Sequence, residues 1–487
     1  MNANPARAIA TSTLWQIGSH VVTSALAIIM VKLVAVGLSK EMAGHYNTAY
    51  GYLQLFAILA DFGLYSVAVR EVSRAENRSR VLSVIFLLRL LTISLSLGGA
   101  LSIAWLVPHW QGTPLPLSIS IALFVPAFTL LAGVMRSAFQ VTYRMHYVFI
   151  AEVAQRIVSV GLIGLLVFTG IRASADPTVL WLFLSTGSVG ALVLLLLSFL
   201  FGHRLIPLRP HWDGALIRRV FAQAAPFGIA YLCIAVYRQF DITLIANLRP
   251  HDFDVQNAYY GFVLRILDVT YLLPTLLLNS ALPELSRRDA QGRDTRKLLG
   301  YVLLTLLLLT TTIALFAALW PRPLIRLLTT EAYLATADHP GADTALRLLA
   351  LPMVLNSLVT FSFYVLLTRG RWKPLVMTLG CGAIFSLVLN FLLIPQWGFV
   401  GATWTSNFVH VFLTIALLPQ ALRTMPVSLP RKELLQWILY SAFQAVLLWL
   451  LLPFVTSPLR TILGGAFIGL WLVVFLWFSG FRKALPF

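Results

Sequence analysis

Ten ionisable side chains lie inside strongly apolar stretches of the sequence, where a charge is costly and usually faces water, a partner or a ligand. Six of them are spaced three or four residues from a side chain of opposite sign, which places both members of a pair on one face of a helix. The three pairs are Glu152/Arg156, Arg238/Asp241 and Arg265/Asp268. Each pair either neutralises itself between packed helices or presents charge to a ligand, and both roles stay open.

The second and third pairs fall near the middle of their apolar stretches, where water access is needed to tolerate them. An arginine fork meets phosphate oxygens bidentately without losing its proton. A water-filled cavity that contains Arg238 and Arg265, with Asp241 and Asp268 beside them, therefore suits a lipid-pyrophosphate head group. The first pair fits a structural pair or a coupling-ion site.

Four further charges in apolar stretches are cavity candidates: Lys32, Asp61, Arg89 and Arg347. Lys32, Arg89 and Arg347 lie near the ends of their stretches, so their long side chains can extend outward along the helix instead. Asp61 has no cation within one helical turn and precedes Phe62 and Gly63. A corner that distorts the helix is therefore the alternative to a functional acid.

The elements that hold these residues are membrane helices. With 59% hydrophobic and 11% charged residues, the chain has too little polar surface for a water-soluble fold. This excludes a soluble enzyme, a nucleic-acid binder and a disordered scaffold. A window of roughly 20 apolar residues predicts about fourteen spans, at residues 11–36, 46–69, 82–107, 115–135, 148–171, 178–202, 220–247, 255–283, 298–320, 345–368, 374–395, 399–422, 434–455 and 460–480.

The basic residues alternate between loops in the way that membrane topology requires. If the N-terminus is cytoplasmic, 24 of the 36 Lys and Arg residues fall in cytoplasmic loops and 6 in periplasmic loops. This bias predicts that both termini are cytoplasmic. The net charge of +18 is then topological and gives no support to nucleic acid as a partner. The two cysteines predict neither a disulfide framework nor a metal site.

Two short motifs recur in the second half of the chain. Residues 47–51 (NTAYG) resemble 257–261 (NAYYG), and residues 70–74 (REVSR) resemble 283–287 (PELSR), at offsets of 210 and 213. Six spans separate the copies, so the halves have the same orientation. Parallel repeats of this kind place the substrate site between the halves, near the bilayer midplane. We expect two six-helix lobes, residues 1–210 and 211–432, and two additional helices at 433–487.

The sequence resembles the bacterial oligosaccharide flippases, a family of the multidrug/oligosaccharidyl-lipid/polysaccharide exporter superfamily. The resemblance covers nearly the whole chain, and its motifs are residues 44–46 (GHY), 59–64 (LADFGL), 69–71 (VRE), 260–287, 390–395 (NFLLIP) and 398–403 (GFVGAT). It implies an all-α, V-shaped, two-lobe exporter fold in the bacterial inner membrane. It also implies flipping of undecaprenyl-pyrophosphate-linked oligosaccharide, a repeat unit of O-antigen, capsule or exopolysaccharide, by alternating access.

Several further expectations follow from the resemblance. The partners are the lipid-linked oligosaccharide, membrane lipids, H⁺ or Na⁺ as coupling ion, and a polysaccharide polymerase; no cofactor, metal or catalytic residue is expected. A lipid II flippase is the alternative, since fourteen spans are typical of that group. A cation-coupled multidrug exporter is disfavoured because the first span holds Lys32 and no acid. An enzyme is disfavoured because the outer loop at 321–344 carries no recognised catalytic motif.

Overall fold

The computed structural model describes residues 5–208, 211–291 and 293–479. Over these residues the chain forms nineteen α-helices and no β-strand. Fourteen helical segments in this part of the chain are long and apolar enough to cross a membrane. Each of them overlaps one predicted span. The predicted all-α polytopic class and the list of spans are therefore confirmed.

The helices pack into two compact units, one ending at Gly261 and the other beginning at Phe262. The first unit contains α1 (Pro5–Gly37), α2 (Lys40–Asp61), α3 (Leu64–Arg74), α4 (Arg78–Leu106), α5 (Leu115–Ala122), α6 (Phe124–Val141), α7 (His146–Phe168), α8 (Pro177–His203), α9 (Gly214–Gln239), α10 (Asp241–Leu248) and the start of α11 (Phe253–Ala290).

The second unit holds the remainder of α11 and all later helices. These are α12 (Arg296–Leu319), α13 (Pro321–Leu328), α14 (Ala342–Leu348), α15 (Ala350–Thr368), α16 (Trp372–Trp397), α17 (Phe399–Thr424), α18 (Arg431–Leu451) and α19 (Pro458–Phe478). The expected lobes rest on the sequence repeat rather than on contacts, and their bounds stay predictions.

The second span turns a corner where Phe62 and Gly63 separate α2 from α3. Both residues have left-handed backbone conformations, with φ of 40° and 74°, which end a helix. The Phe62 ring stacks on Phe221 of α9 with 5.4 Å between centroids. A Cβ atom on Gly63 would lie 2.7 Å from the Cβ of Phe227. Close packing by α9 therefore holds the strained corner, and the corner considered for Asp61 is present.

The first pair of repeated motifs meets where α2 crosses α11, inside the first unit. The Asn47 side-chain amide donates to the Asn257 carbonyl at 3.1 Å, and the Asn257 amide donates to the Thr48 hydroxyl at 2.9 Å. A Cβ atom on Gly261 would lie 2.5 Å from the Cβ of Asn47. Small residues allow helix backbones to approach closely in a membrane. The repeated asparagine-to-glycine spacing thus builds a tight helix crossing.

Within the second unit, the two C-terminal helices pack against α12 and the residues that follow it. The Trp320 indole donates to the Leu448 carbonyl at 2.7 Å. The Gln444 amide donates to the Thr312 carbonyl at 3.0 Å. Both donors are buried, so these bonds avoid the cost of unpaired polar groups. They fix α18 against α12 and the end of that span.

Candidate functional site

Asp61 and Arg89 form an ion pair at the corner between α2 and α3. An Arg89 guanidinium nitrogen lies 2.7 Å from an Asp61 carboxylate oxygen, and the side chains are 2% and 30% exposed respectively. Arg89 also donates to the Ala60 carbonyl at 3.2 Å. Ala60 lies in the last turn of α2, where carbonyls lack helical partners and a cation is favoured. The alternative in which Arg89 extends outward does not occur, because the acid and the carbonyl hold the side chain inside; its role in a cavity stays a prediction.

A second group of polar side chains, the polar network, joins α1, α3, α6 and α7. Arg136 lies 2.9 Å from Glu152, and the Ser19 hydroxyl donates to the same carboxylate at 2.5 Å. The Tyr65 hydroxyl donates to Gln140 at 2.6 Å. The Arg136 guanidinium lies 5.9 Å from the centre of the Tyr65 ring, within the range of a cation–π contact. Four helices of the first unit thus share one set of polar contacts.

Most of the polar network was missed at the level of sequence. The predicted span 115–135 ends one residue before Arg136 and so leaves this arginine in a loop on the side predicted to be cytoplasmic. In the structure α6 continues to Val141. The apolar residues 138, 139 and 141 beyond the arginine were the signal for a longer helix. Ser19, Tyr65 and Gln140 are uncharged and gave no signal. Arg156, the residue paired with Glu152 by spacing, is half-buried on the same helix.

The second predicted pair lies at the junction of α9 and α10. Asp241 is the first residue of α10 and is 1% exposed. Its carboxylate accepts a hydrogen bond from the Tyr260 hydroxyl at 2.7 Å. Asn257 donates to the Ile242 carbonyl at 3.0 Å. Asp241 therefore fastens α10 to the start of α11, while Arg238, in the last turn of α9, is half-buried.

The remaining predicted residues differ in their exposure. On α11, Arg265 is half-buried and Asp268 is exposed on the surface of the second unit. A carboxylate within a span faces a water-filled cavity or a partner rather than lipid. Lys32 is half-buried on α1. Arg347 is exposed on α14, a separate short helix that precedes the span beginning at Ala350.

The polar network is suited to the reversible binding of an anion. The side chains of Arg136 and Glu152 are 33% and 18% exposed, so the ion pair is accessible from one side. A guanidinium binds phosphate oxygens as well as carboxylate oxygens, so a phosphate that reaches Arg136 competes with Glu152 for it. No group of three or more potential metal ligands occurs in the part of the chain that the structure describes.

The turn between α10 and α11 is held by hydrogen bonds to Asp252, which lies just before the span that begins at Phe253. Two Arg249 nitrogens donate to the two Asp252 oxygens at 2.9 and 2.6 Å, and Gln256 donates at 2.9 Å. Partial burial acts to raise the pKa of Asp252, but these hydrogen bonds outweigh it and hold the pKa below its ordinary value. These hydrogen bonds fix the conformation of the turn that leads into α11.

Two family models match the chain. The model described as polysaccharide biosynthesis protein matches residues 9–287. A second model, MatE, matches residues 226–392. Together they extend over both units and over most of the membrane helices.

A curated relative covers less of the chain. It is an uncharacterized membrane protein of Methanocaldococcus jannaschii, 30% identical over 124 residues, which are 25% of this chain and 23% of that protein. The match thus spans about a quarter of the relative's length.

Two solved structures show the fold. A structure of the lipid II flippase MurJ in an inward closed conformation has a TM-score of 0.70 at 14% identity, covering 96% of this chain and 97% of that one. A multidrug resistance MATE family transporter of the MOP superfamily, in an inward-facing conformation, has a TM-score of 0.62 at 11% identity, covering 82% and 93%. The chain therefore has the fold that these transporters share.

Proposed function

Because the chain belongs to the polysaccharide biosynthesis protein family, we propose that its cargo is a lipid-linked oligosaccharide carried on undecaprenyl pyrophosphate. The coarser function is that of a flippase or transporter of the MOP exporter superfamily. The observation that carries the proposal is the family match, which covers the helices α1 to α10 and much of α11. The proposed reaction moves the head group across the bilayer by alternating access and changes no covalent bond.

The charges of the first unit support a pyrophosphate head group. Its polar network and corner place Arg136 and Arg89 in spans, each with one carboxylate partner. The partly open Arg136 is the proposed point of first contact, because the head group can exchange with Glu152 there. Arg238 of the first unit remains a proposed head-group ligand, and so does Arg265 of the second unit; each is tested separately.

A lipid II flippase is the second candidate. The specific observation in its favour is the likeness of the whole chain, with its fourteen candidate spans, to the lipid II flippase MurJ. The two candidates share a pyrophosphate-linked lipid and differ in the sugar. Both candidate functions involve the same proposed binding of pyrophosphate by arginine, so the arginines do not distinguish between the two functions.

Depletion of the protein in its own cell separates the two candidates. The proposal expects lipid-linked oligosaccharide to accumulate on the cytoplasmic leaflet, surface polysaccharide to be lost and peptidoglycan to stay intact. Accumulation of lipid II with cell lysis would establish the second candidate instead. Unchanged glycolipids with altered drug efflux would contradict both.

The proposed location is the inner membrane of a bacterium, with both termini cytoplasmic. It rests on the distribution of Lys and Arg among the loops. Reporter fusions after Arg74, Arg293 and Lys432 should report cytoplasm, and fusions after Gln111 and Asp252 should report periplasm. Reversal at any of these five positions would contradict the topology. The coupling ion, H⁺ or Na⁺, and a polysaccharide polymerase as partner complete the proposal.

A further inference from the structure

A cleft of about 350 Å³ opens on the surface of the second unit, remote in sequence from the polar network. Its lining includes three arginines and one acid: Arg293, Arg296, Arg369 and Asp294. Thr424 and Met425 complete one wall. The cleft thus concentrates positive charge in a concave surface, which isolated loop arginines do not do.

The cleft lies at the ends of three membrane spans. Arg296 begins the span of α12, Arg369 follows the span of α15, and Thr424 ends the span of α17. Because three apolar helices end at the same place, the cleft lies at the boundary between membrane and water, at the depth of lipid head groups. The distribution of basic residues predicts that this is the cytoplasmic boundary.

The acid in the cleft forms no ion pair with the side chain of Arg293 or Arg296. The Asp294 carboxylate accepts a hydrogen bond from the Arg296 backbone N–H at 2.9 Å, so it is partly committed to the start of α12. Within the described chain no carboxylate forms an ion pair with Arg293 or Arg296. The lining of the cleft thus carries three guanidinium groups and one carboxylate.

Basic residues next to the spans of the first unit are arranged differently. Arg80 lies 2.9 Å from Asp213, and Arg219 lies 3.5 Å from Glu71. These arginines have protein carboxylates as partners. Arg293 and Arg296 differ from these two arginines, because neither has a carboxylate partner among the described residues.

We propose that the cleft binds the phosphate of a lipid head group in the adjacent leaflet, most simply that of an anionic phospholipid such as cardiolipin. Guanidinium forks bind phosphate oxygens bidentately, and basic pockets between membrane helices on the cytoplasmic side suit such head groups. The wall residue Met425 is 5% exposed and packs into an apolar cluster with Leu299 and Val302. In this proposal the ligand is a resident lipid, distinct from the cargo.

The test measures binding of fluorescent cardiolipin to the full-length protein in detergent micelles at physiological salt. The cleft variant carries the substitutions R293Q, R296Q and R369Q. The control variant removes the same charge from exposed arginines of the first unit by R78Q, R144Q and R204Q. The cleft variant should bind cardiolipin about tenfold more weakly or worse, and the control should change by less than about twofold. Zwitterionic phosphatidylcholine should bind neither protein specifically.

Three results would overturn the proposal. Unchanged cardiolipin binding by the cleft variant would remove the site. Equal weakening in the control variant would show that only the total charge matters. Binding of soluble inorganic pyrophosphate that is lost in the cleft variant, while cardiolipin binding is unchanged, would show that the cleft takes a free phosphate rather than a lipid. If the triple variant is poorly folded, the single variant R296Q is measured, and unchanged cardiolipin binding by that folded variant would remove the site. The binding assay does not depend on transport, so its failure is distinct from failure of the proposed cargo.

Discussion

Removing the carboxylate of Asp61 should destabilise the protein more than removing the guanidinium of Arg89. The variant D61N leaves Arg89 charged and without its counterion at 2% exposure. Breaking a buried ion pair in this way costs about 3–5 kcal/mol, and the lower end applies because the bond to the Ala60 carbonyl remains. The variant R89M keeps much of the side-chain volume and leaves Asp61, 30% exposed, within reach of water. Its cost is about 1–2 kcal/mol.

The assay is thermal unfolding in detergent micelles at one fixed heating rate, because membrane proteins often unfold irreversibly. At roughly 2 °C per kcal/mol for a long chain, D61N should lower the apparent Tm by about 6 °C and R89M by about 2–4 °C. The double variant D61N/R89M removes both charges and should recover most of the loss caused by D61N. E76Q and R78M alter exposed charges beyond the other end of α3 and serve as controls, with little expected change.

Two results would refute the reasoning about this pair. Equal losses in D61N and R89M would mean that the burial of Arg89 does not govern the cost. A double variant as unstable as the sum of the two single variants would mean that the two side chains do not interact.

Two further stability predictions follow from close contacts in the first unit. G261A places a methyl group 2.5 Å from the Cβ of Asn47 and should lower the free energy of unfolding by about 1–3 kcal/mol. The control G465A meets no atom within 4 Å and should be neutral or stabilising. Equal unfolding temperatures for the two variants would contradict the tight helix crossing. Because the pKa of Asp252 is held below its ordinary value, its contribution is present above its unfolded pKa, about 4, and is lost as pH falls through the folded value. The contact between Asp252 and Arg249 is partly exposed, so D252N should remove less than about 1 kcal/mol of the stability that is lost at acid pH. A larger loss in D252N would contradict the weak, partly exposed contact.

The spans were predictable because a bilayer requires long apolar helices that satisfy their own backbone hydrogen bonds. Hydropathy therefore located all fourteen, and the Gly63 position indicated the corner in the second. The partners of the charges were not predictable in the same way. Spacing along one helix finds neighbours at three or four residues, but Asp61 binds Arg89 from a different helix.

The end of the fourth predicted span also differs from the structure. The apolar window places the end of the fourth span at residue 135, one residue before Arg136. In the structure the carboxylate of Glu152 neutralises Arg136, which allows α6 to continue to Val141. A charge can thus lie inside a span when a partner from another helix is available, and a single sequence does not show that partner.

The most direct test of the central claim is translocation of a lipid-linked oligosaccharide in vesicles that contain only the purified protein. A fluorescent undecaprenyl-pyrophosphate oligosaccharide is placed in both leaflets, and its exposure to an external quencher or lectin is followed over time. We predict translocation that needs the protein, that falls in R136Q, R238A and R265A at normal protein abundance, and that stays normal in R78Q. Full transport in the double variants R238A/D241A and R265A/D268A would show that those arginines only neutralise neighbouring acids. Absence of translocation by the folded wild-type protein would contradict the account.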